Sequence, residues 1–159
     1  MIFLKELIQN PVFVAAVMGW FVAQVLKTII HFMIHKEFLW ERMVGSGGMP
    51  SSHSATVCGL ATAAGIRYGG GSFEFAIAVI LAIIVMHDAM GVRRETGIQA
   101  RVLNEMMALF REMGTKMSME DKLKEFVGHT PLQVWMGAIL GIITGLITCQ
   151  LMIAGYQSF

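Results

Sequence analysis

The sequence predicts an all-α fold: an integral membrane bundle of about four transmembrane helices, with short amphipathic surface helices between the third and fourth spans. Three observations lead there. Hydrophobic residues make up 55% of the 159 residues and charged residues only 14%, with mean hydropathy +0.64; a soluble domain carries about 25% charge. The charges gather between long apolar runs instead of being scattered through them. Finally, 17 Gly and 3 Pro sit in this apolar context, and both residues are more frequent in membrane helices than in soluble ones. This composition excludes a disordered chain and argues against a soluble globular domain. The length suits one unit, so residues 1–159 are read as a single membrane domain. A net charge of +1 supplies no field for nucleic acid. Cys58 and Cys149 both lie in apolar stretches and make neither a disulfide framework nor a zinc site.

A spanning helix needs about 20 mostly apolar residues. The first candidate runs over 11–30, with Pro11 in the favourable first turn. The second, 52–68, is the weakest, being short and rich in Ala, Gly and Thr. The third, 73–90, contains the most apolar stretch, AIAVILAIIVM, and the fourth covers 131–154. The amino-terminal segment lacks the basic start of a cleavable signal. His31 and His35 fall in the loop that follows the first span, and that loop ends in GSGGMPSS. Residues 91–130 form a polar cap. Within 100–113, Val102, Leu103, Met106, Met107 and Phe110 recur at helical spacing. Ser118 and Asp121 read as a capping box for a second short helix, ended by Gly128. Such helices lie at the membrane surface or close over a lipid site. Gly137, Gly141 and Gly145 make two overlapping G-x-x-x-G steps, a close-packing face within the bundle or a homodimer seam.

Orientation follows from the basic residues. The 31–51 and 91–130 loops share one side and carry Lys36, Arg42, Arg101, Arg111, Lys116, Lys122 and Lys124, against Lys5 and Arg67 on the other. This excess predicts a multi-pass protein of the cell membrane with its long loops cytoplasmic.

The polar residues inside or beside the spans carry the functional signal, since intramembrane ionisable groups are costly. Lys27 lies near the end of the first span, GGMPSSHSA opens the second, His87, Asp88, Arg93 and Arg94 follow the third, and GHTP opens the fourth. Because spans alternate in direction, all of these ends meet at one membrane face. The second and fourth spans present amino-terminal ends, where free N–H groups and the helix dipole favour an anion. Ser51 or Ser52, and Thr130, are natural N-caps. The first and third spans bring Lys27, Arg93 and Arg94. Phosphate is the anion this set fits, with Arg binding it in bidentate fashion and Lys as a point charge. His53 and His129 stand beside it. One imidazole can attack phosphorus while the other protonates the leaving oxygen and then activates water.

At these residues the chain resembles the divergent bacterial and plastid branch of the type 2 phosphatidic acid phosphatase superfamily. The matching segments are GGMPSSHSA at 47–55, DAMGVRRETGIQA at 88–100 and VGHTP at 127–131. The resemblance implies a helical membrane protein with a lipid-phosphate phosphatase site that needs no metal or other cofactor. The wider superfamily uses K-x6-R-P, P-S-G-H and S-R-x5-H-x3-D. Lys27 fits the first lysine, but Ile34 stands where the arginine belongs. Residues 50–53 read P-S-S-H and keep the acid–base histidine as His53. Arg93 fits the third-motif arginine, but Gln99 stands where the second histidine belongs, which assigns the nucleophile to His129 and phosphate binding to Gln99. Four residues beyond His129, Gln133 replaces the acid, and Asp88 is the substitute to orient the nucleophile.

The expected function is hydrolysis of a phosphomonoester or diphosphate of a membrane phospholipid or isoprenoid through a phosphohistidine. His53, His129 and Asp88 would be catalytic, and Lys27, Ser51, Ser52, Arg93, Arg94 and Gln99 would bind phosphate. The same anion pocket without turnover would make a phospholipid-binding or lipid-moving protein.

Overall fold

Local capping chemistry sets the helix boundaries. The computed structural model describes residues 2–36, 48–113, 123 and 129–157. Its helices are α1 (Ile2–Gln9), α2 (Pro11–His35), α3 (Ser52–Tyr68), α4 (Phe73–Met90), α5 (Val92–Glu112) and α6 (Pro131–Gln157). Asn10 caps α2: its Oδ1 accepts from the Val12 and Phe13 amides at 2.9 and 3.4 Å. Ser51 and Ser72 cap α3 and α4 in the same way. Gly69 ends α3 at φ +87°, a conformation that costs glycine little.

Among the described residues, three segments are long and apolar enough to cross a membrane: Pro11–His35, Phe73–Phe110 and Pro131–Gly155. The 17-residue α3 is shorter and less apolar, yet it is the centre of the bundle, packed against α2, α4 and α6. Nine of its residues are buried, whereas α4 buries only Ala78, Ala82 and Ala89. The core is therefore made of small residues, including Ala15, Ala23, Ala55, Ala63 and Cys149, while Ile77, Ile80, Ile83 and Ile84 point outward. That inverted pattern suits hydrocarbon solvent. Lipid is as apolar as leucine, so helices associate through close packing instead of burial from water.

The glycines make the packing close. A Cβ on Gly141 would overlap the Ala55 carbonyl oxygen, and one on Gly137 would overlap that of Ser51. A Cβ on Gly145 would come 2.9 Å from the Gly59 oxygen, and one on Gly19 would come 2.6 Å from the Ala55 oxygen. The Gly137, Gly141 and Gly145 face is thus occupied by α3 of the same chain. Of the two readings of that face, this contact fits close packing within the bundle.

Several boundaries differ from the expected ones. The first span continues to His35, because Phe32, Met33 and Ile34 extend the apolar run without a Gly or Pro to stop it. His31 and His35 therefore sit on α2, with rings stacked 4.3 Å apart, and not in a loop. The fourth span likewise runs to Gln157. The short α1 was not foreseen; Asn10 and Pro11 separate it from α2. The surface helix α5 starts at Val92, immediately after Gly91 breaks α4, well before residue 100. The second cap helix expected between Ser118 and Gly128 lies outside the described residues.

If the seam between α3 and α6 organises the bundle, Gly141→Val should lower unfolding free energy in detergent by about 1–3 kcal/mol, the usual cost of overpacking. Gly155→Ala, with no neighbour within 4 Å of the new methyl, should change it by less than about 0.5 kcal/mol. Thermal unfolding followed by circular dichroism measures both.

Candidate active site

Four helix ends converge at one end of the bundle. The backbone ties them together. The Ser51 amide donates to the Gln133 carbonyl at 3.0 Å, joining the starts of α3 and α6. The His129 amide donates to the Ala89 carbonyl at 3.1 Å, joining the start of α6 to the end of α4. Gly48, at φ +82°, lies against Lys27 of α2; a Cβ there would come 3.2 Å from the lysine Cγ. Glycine is needed twice at this position, for the backbone angle and for the space.

His53 and His129 meet at this junction. Their ring centroids are 6.0 Å apart with the planes at 62°. His129 is 2% exposed. The start of α6 fixes it through a capping box. The Gln133 amide donates to Thr130 Oγ1 at 3.4 Å, and the Thr130 amide donates back to Gln133 Oε1 at 3.1 Å. The same Oε1 lies 3.2 Å from His129 Nδ1. A backbone N–H can only donate, so Thr130 fixes which end of the carboxamide is oxygen. That oxygen can only accept, so the proton of a neutral His129 sits on Nδ1 and the lone pair on Nε2. Gln133 stands where the motif comparison expected an acid, and it makes the orienting contact itself.

Lys27 is 3% exposed, and its Nζ donates to Gln24 Oε1 at 2.8 Å. A buried ammonium within a membrane span is expensive, and the Gln24 carboxamide oxygen partly offsets that cost. Gln24 was missed in the sequence; its signal was the i, i+3 spacing from Lys27 inside an apolar helix. Ser51 and Ser52 are buried at the start of α3, and Ser51 Oγ accepts from the Ser54 amide. Asp88 is half-buried in the last turn of α4, beside Ala89. Arg93 and Arg94 fall in the first turn of α5, past the break at Gly91, and not on the end of α4. Two cationic residues thus stand at the positive end of a helix dipole, a placement that favours a nearby anion. Gln99 is exposed on α5, nearly two turns further on. Gly45 and Gly47 lie outside the described residues. No three His, Cys, Asp or Glu side chains cluster as metal ligands among the described residues.

A family model described as "Divergent PAP2 family" matches residues 8–144, which include both histidines, Lys27 and Gln133. The chain belongs to the Divergent PAP2 family. An uncharacterized membrane protein, YuiD, of Bacillus subtilis (strain 168) is 36% identical over 151 residues, covering 89% of this chain and 96% of that protein. No solved structure matches the chain. Membership in this family bears out the resemblance found in GGMPSSHSA, DAMGVRRETGIQA and VGHTP.

Replacing Gln133 by Leu removes both the cap and the contact to His129. Helix capping of this kind contributes about 1 kcal/mol, and stability should fall by at least that. Imidazole nitrogen chemical shifts should also change, from an Nδ1-protonated His129 in the parent to a mixture of tautomers in Gln133→Leu. An unchanged tautomer would show that something other than Gln133 sets it.

Proposed function

We propose that this protein is a membrane-embedded phosphohydrolase that removes phosphate from a lipid phosphomonoester or diphosphate through a phosphohistidine. The observation that carries the reading is the pair His53 and His129, brought to 6.0 Å from different helices, with His129 oriented by Gln133. His129 Nε2 attacks phosphorus, and the bond from phosphorus to the lipid oxygen breaks. Protonated His53 gives its proton to that departing oxygen, releasing the lipid alcohol. Neutral His53 then takes a proton from water, the water oxygen attacks the phosphoryl group, and the P–N bond breaks to give inorganic phosphate. His53 regains its proton and His129 its lone pair.

Charge on the equatorial oxygens is met by Lys27, Arg93 and Arg94 and by the amides at the start of α3. Preorganised electrostatics of this kind is usually the largest catalytic contribution. Ser51 and Ser52 shape that helix end, Asp88 supports the junction from α4, and Gln99 extends the polar surface on α5. The protein sits in the cell membrane with the pocket facing the cytoplasm, the side favoured by the basic loops. A phospholipid or isoprenoid phosphate is the substrate class, since only the phosphate need be recognised by polar groups.

Two experiments test this reading. Purified protein in EDTA should release phosphate from a panel of lipid phosphates. His129→Ala should abolish both turnover and a trapped phosphoenzyme. His53→Ala should lose about 10²–10⁴-fold in turnover of an alkyl phosphate, yet still form phosphoenzyme from a substrate with a good leaving group. Phosphate trapped on His53 would reverse the assignment. For sidedness, cysteines placed at Lys116 and Lys122 in a chain lacking Cys58 and Cys149 should resist a membrane-impermeant thiol reagent in intact cells. Labelling without permeabilisation would place the loop outside.

A further inference from the structure

The phosphate is only half of a lipid substrate, and the structure contains an apolar groove beside the histidine junction. Helices α4 and α6 both rest on α3 and touch each other little. Between them lies a cavity of about 450 Å³, floored by Cys58 and Ala61 and walled by Ile83 of α4 and Ile142 of α6. The walls belong to the bilayer-facing surface, with Ile83 58% and Ile142 45% exposed. The size falls within the range of small-molecule sites, about 300–1,000 Å³.

Its position matters more than its size. On α4 the lining extends from Phe75 to Met90, about 22 Å at the helical rise. At the upper end, Met90 adjoins Ala89, whose carbonyl holds the His129 amide. Trp135, across the groove, lies two residues beyond Gln133, which holds the His129 ring. The groove therefore ends at the two elements that fix the nucleophile.

We propose that this groove holds a hydrocarbon chain of the same lipid whose phosphate is bound between His53 and His129. The inference rests on the phosphohydrolase reading and adds the other half of substrate recognition. In a bilayer a chain gains little from being apolar, because its surroundings are equally apolar; contact and fit must discriminate. A chain long enough to reach Phe75 fills the groove, and a short one leaves it to bulk lipid. The enzyme is accordingly selective for chain length and not only for the phosphate.

Photolabelling of the wild-type protein in phosphatidylcholine nanodiscs tests the site directly. The probe is a long-chain phosphatidic acid with a diazirine at the end of one chain. Labels should fall on Phe75 and Val79, and excess unlabelled long-chain phosphatidic acid should reduce them at least tenfold. Diacylglycerol of the same chains should not. Equal displacement by both lipids, or labels spread over Ile77, Ile80 and Ile84, would identify ordinary annular lipid and overturn the proposal. A second measurement narrows the groove with Ile83→Trp and Ile142→Trp. KM for long-chain phosphatidic acid should rise about tenfold while turnover of a short-chain phosphatidic acid stays within twofold. Wild-type turnover that ignores chain length would overturn the groove and leave the phosphohydrolase reading intact. Absence of turnover on every lipid phosphate would overturn that reading, and the labelling pattern would still decide the groove. If the tryptophan variants do not fold, the wild-type labelling decides alone.

Discussion

The near-contact of the α3 and α6 backbones is the constraint on which the rest of the structure depends. Ser51, which caps α3, and Ala55 and Gly59 within it meet Gly137, Gly141 and Gly145 of α6 at distances that leave no room for a Cβ on those glycines of α6. This is how a 17-residue helix of modest hydropathy occupies the centre of a membrane bundle. The same seam delivers the start of α3 to the start of α6. Once those two ends are adjacent, the Ser51 amide reaches the Gln133 carbonyl, and His53 is carried to His129. The chemistry of the junction is therefore inherited from helix packing well below it.

Gln133 then concentrates several tasks in one residue. Its carboxamide caps α6, its Oε1 orients the imidazole, and its carbonyl anchors α3. A carboxylate at this position would add charge beside the histidine; a carboxamide adds only direction. A neutral partner of this kind sets the direction of the His129 ring through Nδ1. Lys27 reaches the junction from a different helix, α2, where it lies against Gly48 of the segment before α3.

Much of this was legible in the sequence, because the membrane imposes simple rules. Apolar length gave the spans, alternation of direction gave the shared face, and GGMPSSHSA and VGHTP marked the two helix starts. What could not be read depended on contacts between distant residues. The G-x-x-x-G steps announced close packing, but only the structure shows the partner to be α3. Gln133 appeared as a gap in a motif, since a pattern compares residue types and cannot show that a glutamine oxygen reaches the ring by way of a cap. The sequence places the end of the first span at residue 30 because the histidines at 31 and 35 read as polar loop residues, yet helices tolerate them and no breaker follows Ile30. Gly91 looked like part of a motif; its action as a break that starts α5 is a matter of backbone angle.

The unequal helix lengths have a further consequence. The 17 residues of α3 span about 26 Å at the helical rise, less than the roughly 30 Å of the hydrocarbon layer. Lys27, level with the loop before α3, is followed by two more turns of α2, ending at His35. The short central helix therefore begins about two turns below the level that its long neighbour α2 reaches.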